Sequence, residues 1–237
     1  MSFGLELTNS NNQLMFSSDF AAFHFISKLN ATNVGDPFKP FNYQINFSCN
    51  GRPLIFTEGL DSSGVAAGSC ILKLTDLGSN NWSATLIFKG SVASPATIPV
   101  YIFGFASTPS NTGYGGFVKS ATGVTMLNLQ QRVLKISGAH QTIFKQSSIA
   151  SIPPPDPLFS GTIPENYILS CPPIGESLRS SGPTFFGTYF GLVPYRVAST
   201  TVGYKLGDDY GFSPAGVEAY TVYENQYVLF ADKTLYQ

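Results

Sequence analysis

Apolar positions along this chain recur mostly at every second residue, and no stretch sustains the 3.6-residue period of a capped helix. Phe20 to Ile26 is a run of aromatic and small residues around His24, and Tyr43 to Phe47 alternates as Tyr-Gln-Ile-Asn-Phe. Ser83 to Lys89 and Ile98 to Phe103 read as further strands, with Pro99 best placed at a strand start or edge. Gly64 to Leu74 extends as a strand ending at Asp76. Asn50-Gly51 predicts a two-residue hairpin that sets Phe47 opposite Leu54 and Ile45 opposite Phe56. Glu58-Gly59, Gly78 to Asn81 and Pro109 to Gly113 read as turns. Arg132 to Ile136 and Thr142 to Lys145 follow as strands.

One short pattern occurs twice, 111 positions apart. Phe3-Gly4-Leu5-Glu6-Leu7, a polar turn at Asn11-Asn12 and Leu14-Met15-Phe16-Ser17 match Tyr114-Gly115-Gly116-Phe117-Val118, a turn at Thr122-Gly123 and Met126-Leu127-Asn128. Two-residue turns would place Leu7 opposite Phe16, Leu5 opposite Ser18, and Val118 opposite Leu127. Each such apolar pair contributes roughly 0.2–1 kcal/mol. From Phe3 to Ser17 only Gly4/Gly115 and Met15/Met126 are identical, and any two hairpins share a polar turn and an apolar pair. The strands after each hairpin do not align, so the repeat is read as two hairpins in one N-terminal module and not as a duplicated domain.

Ser151 to Pro157, with Pro153-Pro154-Pro155 at its centre, breaks the strand pattern. Consecutive prolines favour extended polyproline geometry and are excluded from a central strand. The segment reads as a linker, with a proline-rich edge crossing inside one domain as the alternative. Beyond it, Phe185 to Val193 is dense in aromatics and glycine, and Val202 to Leu206, Val217 to Tyr223 and Gln226 to Phe230 read as strands. They form a second β unit or complete the first. The expected fold is therefore all-β: an antiparallel sandwich or open barrel over 1–150, a linker over 151–157, and a smaller β-rich region over 158–237.

Charged residues make up 11% of the chain, less than half the usual quarter, while aromatics reach 14%. That balance argues against disorder and suits a surface covered by neighbours in an assembly, or a polar adhesive surface. The net charge is −1 and no run of Lys or Arg exists, so no nucleic-acid partner is expected. No apolar run approaches the 18–20 residues of a spanning helix, and the first residues do not read as a signal peptide. Cys49, Cys70 and Cys171 are an odd, widely spaced set that fits free thiols made in a reducing cytoplasm, with a Cys49–Cys70 bridge left open.

No catalytic, cofactor or metal motif emerges. His24 and His140 stand alone, and the cysteines lack zinc-ligand spacing. Gly-x-Ser-x-Gly and phosphate-binding glycine loops are absent. The adjacent acids Asp208-Asp209, flanked by Gly207 and Gly211, read as a solvated turn, with a calcium loop or paired catalytic carboxylates as alternatives. Tyr189, Tyr195, Tyr204, Tyr210 and Phe212, with Asp208 and Asp209, are the candidate contact residues for a partner or receptor. Their bland reading is that alternate aromatics fill a β core.

Residues Phe3 to Ser18, read as aromatic-Gly-Leu, a polar turn and Met-Phe-Ser-Ser, resemble the opening of small β-rich tail-tip or baseplate proteins of tailed bacteriophages. Phe16-Ser17-Ser18-Asp19 departs from the usual Phe-Asp-Ser by moving the acid. Val100 to Gly104 followed by a second hairpin repeats an order found in some of those proteins, and the likeness covers about residues 3–30 and 98–136. The resemblance implies a non-enzymatic structural role in a virion tail, made in the host cytoplasm. Its implied partners are other tail proteins and further copies of the chain, a trimer being one form. The alternative is an adhesin whose region 158–237 recognises a host-surface glycan or outer-membrane protein.

Overall fold

The computed structural model describes residues 6–8, 14–17, 22–32, 41–60, 68–89, 97–107, 115–120, 122–142, 159–171, 175–181, 184–196, 201–212 and 226–237. Among them every regular element is a strand except a closing 3-10 turn, which is the all-β fold expected. In chain order the strands are β1 (Glu6–Thr8), β2 (Leu14–Ser17), β3 (Phe23–Thr32), β4 (Phe41–Ser48), β5 (Asn50–Thr57), β6 (Gly68–Gly78), β7 (Asn81–Lys89) and β8 (Thr97–Phe105). They continue as β9 (Phe117–Lys119), β10 (Thr125–Asn128), β11 (Ile136–Thr142), β12 (Phe159–Thr162), β13 (Tyr167–Ser170), β14 (Gly175–Ser181), β15 (Thr184–Arg196), β16 (Thr201–Phe212) and β17 (Gln226–Asp232), and the turn Lys233–Tyr236 ends the chain.

These strands form two units with one plan. Each unit opens on a hairpin, β1–β2 or β9–β10. Each then contributes three strands to a common antiparallel sheet, ordered β11-β17-β13-β5-β8-β3, and three to a sheet of its own, β4-β7-β6 or β12-β16-β15, the latter extended by β14. The registers correspond pair by pair. Phe25↔Phe103, Ser27↔Ile102 and Lys28↔Tyr101 in the first unit match Ile136↔Ala231, Gly138↔Phe230 and Ala139↔Leu229 in the second. Leu54↔Phe103 and Ile55↔Ile102 match Ile168↔Ala231 and Leu169↔Phe230. The bulges match as well: the hairpins skip Met15 and Met126, and the strands after them skip Ile26 and Ser137, each pair 111 positions apart.

The repeat is therefore a duplication of the whole unit, which corrects its reading as two hairpins in one module. Residues 151–157 lie outside the described residues and fall inside the second unit, between β11 and β12. β13 and β17, from beyond that segment, share a sheet with β3, β5 and β8.

The units meet about a local twofold axis. Phe56 and Ser170, which correspond, face each other where β5 pairs with β13. Phe23 and Leu134, which also correspond, meet at the far side, where the Leu134 N–H donates to the Phe23 carbonyl at 2.7 Å. The six strands curl toward each other without closing into a barrel; a lone bridge, His24↔Val133, joins β3 to the segment leading into β11. Inside this curl Phe23, Phe25, Leu54, Phe56, Tyr101, Phe103, Ile168, Ala231 and Tyr236 pack together. On the outer face, Ile55, Val100 and Ile102 pack against Ile45, Ala84 and Leu86 of the first unit's own sheet. Leu169, Val228 and Phe230, their counterparts, pack with Ile163 and Tyr167. β8 is thus buried on both faces, which is why Ile98 to Phe103 reads as a near-continuous apolar run. Pro99 pairs with Asn30 of β3 and lies past the end of the β5 ladder, where no N–H is required of it on that side.

The turns refine the sequence expectations. Leu7↔Phe16 and Val118↔Leu127 pair as expected. The second turn, however, is a three-residue loop: the Ser120 N–H donates to the Val124 carbonyl at 2.8 Å, the Gly123 N–H to the Ser120 carbonyl at 2.9 Å, and Gly123 has φ +84°. A type I turn closed by a left-handed glycine has this form. The extra loop residue shifts the register by one, and the bulge at Met126 shifts it back, so the expected pair survives. Leu5 and Ser18 lie outside the described residues.

Asn50-Gly51 does not make a hairpin. β4 pairs with β7 and β5 with β8, so the chain at Cys49–Gly51 turns a corner from one sheet into the other. The Asn50 side chain donates to the Ala106 carbonyl at 3.0 Å and the Trp82 indole to the Cys49 carbonyl at 3.1 Å, which fixes the corner. A two-residue hairpin does occur at Ser79-Asn80, both with positive φ, joining β6 to β7.

Candidate functional site

The seven candidate contact residues lie on β15 and β16, one antiparallel pair. Tyr189 stands opposite Asp209, Phe190 opposite Asp208, Thr188 opposite Tyr210, Phe186 opposite Phe212, Pro194 opposite Tyr204 and Tyr195 opposite Gly203. Asp208-Asp209 is thus the middle of a twelve-residue strand and not a turn. The flanking glycines that suggested a turn pair across the ladder instead, Gly207 with Gly191 and Gly211 with Gly187. Because strand positions alternate between faces, positions 189, 195 and 209 belong to one face and 204, 208, 210 and 212 to the other. The ladder brings Tyr189 and Asp209 together and separates the two adjacent acids, so paired carboxylate chemistry at 208 and 209 has no geometric basis.

His24 is fully buried where the second hairpin meets β3. Its Nδ1 lies 2.9 Å from the Ala22 carbonyl, and its Nε2 accepts the Asn128 N–H at 3.2 Å. A carbonyl at Nδ1 and an N–H at Nε2 define the neutral, Nδ1-protonated imidazole. Burial depresses its pKa, and the two main-chain contacts only partly oppose that. His24 is a satisfied structural histidine, the bland reading of its sequence context. Because the folded pKa lies below the unfolded value of about 6.5, the unfolded chain takes up the proton first as pH falls. The contribution of His24 to stability is complete above pH ~6.5 and declines below it. Denaturant titrations between neutral and mildly acid pH should show this decline, and His24→Gln should flatten it while lowering stability at neutral pH by roughly 1–3 kcal/mol. An unchanged acid slope in the variant would place the proton uptake on another group.

A second cluster escaped sequence reasoning. The fully buried Tyr101 donates its hydroxyl to Glu58 Oε1 at 2.7 Å, and Lys233 Nζ donates to Glu58 Oε2 at 2.6 Å. Lys28 Nζ lies 5.1 Å from the centre of the Tyr101 ring. Burial works to raise the Glu58 carboxyl, but the bonds from Lys233 and Tyr101 and the charges of Lys233 and Lys28 outweigh it, so the group titrates below its ordinary value. Burial and Glu58 together push the Tyr101 phenol well up. The cluster ties the end of β5 to the C-terminal turn, and its ionised carboxylate is committed to these partners. Its only sequence signal was Glu58-Gly59, which also reads as an ordinary turn.

Cys49 is a buried free thiol, which settles the open question of a Cys49–Cys70 bridge against it. Burial raises it to about 11, the opposite of an activated nucleophile. Among the described residues no group of His, Cys, Asp and Glu is placed to hold a metal ion, and no helix is long and apolar enough to cross a membrane. The chain matches no protein-family model, no curated protein and no solved structure.

Proposed function

We propose that this chain is a non-enzymatic structural protein of a phage-like tail tip or baseplate that acts by protein–protein assembly. The observation that carries the reading is the second hairpin with its following turn, which holds Phe117, Val124 and Leu129 more than half exposed on one small element. Large apolar side chains clustered on one face of a small element mark a contact surface more often than scattered ones do. The low charge of the chain and the resemblance of residues 3–30 and 98–136 to tail proteins support the same role. The test is mass spectrometry of purified particles from the source cells, with gold-labelled antibody to locate the chain. A fixed copy number and label at one tail end are expected, and absence from the particles would overturn the reading.

A receptor-binding role is the second reading. Tyr189 opposite Asp209, bracketed by the glycine pairs Gly187↔Gly211 and Gly191↔Gly207, favours it. An aromatic and an acid at paired register positions supply the two residue types a sugar ring uses, a ring face to stack on and a carboxylate to accept its hydroxyls. Binding of the full chain to host envelopes, lost in Tyr189→Ala, is its distinguishing result.

A further inference from the structure

The duplication supplies an internal comparison for the second hairpin. Val118, Met126 and Leu127 seat that hairpin on Ala22, and the Ala22 N–H donates to the Met126 carbonyl at 2.9 Å. Phe117, Val124 and Leu129 are not part of that packing and stand more than half exposed. The 111-residue offset carries them onto Glu6, Gln13 and Ser18 of the first hairpin, and Lys119 onto Thr8. The same scaffold therefore holds polar residues at these positions in one unit and large apolar ones in the other. Nothing in the scaffold itself calls for the apolar set.

Charge changes along with polarity. Residues 3–25 carry Glu6 and Asp19 and no Lys or Arg, whereas the equivalent residues 114–136 carry Lys119, Arg132 and Lys135 and no acid. No Asp or Glu occurs anywhere from 77 to 155. Arg132 is engaged by the Gln237 carbonyl, and Lys135 lies in the field of Asp232. Lys119 is left over. It is exposed, its Nζ stands 5.3 Å from the centre of the Phe117 ring, and among the described residues no acid pairs with it. An apolar patch with an unpaired cation beside it complements a face that is apolar at its centre and carries a carboxylate. Two copies meeting through this patch would bring two Lys119 side chains into one interface with no acid between them. The equivalent positions of the first hairpin offer Glu6, Gln13 and Ser18 where an apolar surface is needed. Anionic lipid is held by clusters of roughly four to eight basic residues, and this hairpin supplies one free lysine.

Given the structural role proposed above, on which the partner's identity as a particle component rests, we propose that the second hairpin docks on a different protein of the same particle. Phe117, Val124 and Leu129 meet an apolar centre on that protein, and Lys119 meets an Asp or Glu beside it. Each chain engages one such partner, because its first hairpin lacks the patch. The twofold equivalence of the two units is thus confined to the fold and is not carried into the assembly.

The experiment is zero-length carbodiimide cross-linking of purified particles, read by mass spectrometry of the joined peptides, with two variants introduced into the source cells. The patch variant combines Phe117→Glu, Val124→Gln and Leu129→Ser, the residues that the first hairpin already carries. The second variant is Lys119→Thr. In unaltered particles Lys119 should be joined to an Asp or Glu of a different protein. The purified patch variant should match the unaltered chain in urea unfolding, while its copy number per particle falls about tenfold or more, because buried apolar anchors carry much of an interface's energy. Lys119→Thr should lower the copy number by a smaller factor. Particles that lack the unaltered chain would overturn the structural role and this docking with it. With the chain present, a patch variant that is retained or destabilised, a Lys119 joined only to a further copy of this chain, or an unjoined Lys119 would overturn the docking alone. So would patch-dependent binding of the full chain to vesicles of phosphatidylcholine and phosphatidylserine, which would assign the surface to lipid.

Discussion

Tyr236→Ala is expected to lower the stability of the fold by about 3–5 kcal/mol, the range for deleting a buried aromatic ring. The two units are equivalent in register but not in volume. Where the first places Phe56, Tyr101 and Phe103 inside the curl, the second places Ser170, Leu229 and Ala231. The missing volume is supplied by the C-terminal turn, whose Tyr236 ring is edge-on to Phe103 with centroids 4.8 Å apart and lies 5.7 Å from Phe25. Its hydroxyl accepts the Lys135 N–H at 2.8 Å and donates to the Val133 carbonyl at 3.4 Å, so one side chain fills the core and pins the strand entering β11. Asp232 caps the turn through the Thr234 N–H and accepts from the Asn166 amide at 2.7 Å, which holds the ring in place. Tyr236→Phe keeps the ring and removes the hydroxyl bonds, so its loss should be only about 0.5–1.5 kcal/mol. Urea unfolding of both variants separates the terms. An alanine variant within about 1 kcal/mol of the parent would mean that the core repacks without the ring, because the unfilled cavity would otherwise cost about 3–5 kcal/mol.

The same asymmetry explains why the duplication was hidden. Corresponding core positions have exchanged Phe for Ser and Phe for Ala, so sequence identity survives at few positions, Met15/Met126 among them. What the two halves retain is register and the placement of bulges, which depend on partners far away in sequence. The Leu7–Phe16 and Val118–Leu127 pairs were legible because they lie a few residues from their turns, where alternation alone sets the face. The length of the second turn was not legible, yet its error cancelled against the bulge at Met126. Asp208-Asp209 looked like a turn because glycines flank it, and only the long β15–β16 ladder reveals that those glycines pair with other glycines. His24 was readable as structural, but its partners at Ala22 and Asn128 were not, because Asn128 is more than a hundred residues away.

Gly51→Ala is expected to cost about 2–5 kcal/mol, from two separable sources. Gly51 has φ +68°, a conformation that penalises an L side chain by roughly 1–2 kcal/mol. In addition, a Cβ there would overlap Cδ2 and Cε2 of the Phe105 ring. That ring cannot move freely, because it packs on Phe23 at a centroid distance of 5.1 Å and its residue pairs with both Phe23 and Asn50. Forcing it aside adds about 1–3 kcal/mol, the usual penalty for overpacking a core. Gly123 isolates the first term: its φ is +84°, and a Cβ there meets nothing within 4 Å. Gly123→Ala should therefore show the backbone penalty alone. If Asn50-Gly51 were a hairpin turn, the two alanine variants would be equally mild. At the corner between sheets, Gly51→Ala should be the worse by the overpacking term, and adding Phe105→Ala should recover that term as a non-additive gain in a double-mutant cycle. Equal losses at the two glycines, or strict additivity with Phe105→Ala, would remove the contact from the account of the corner.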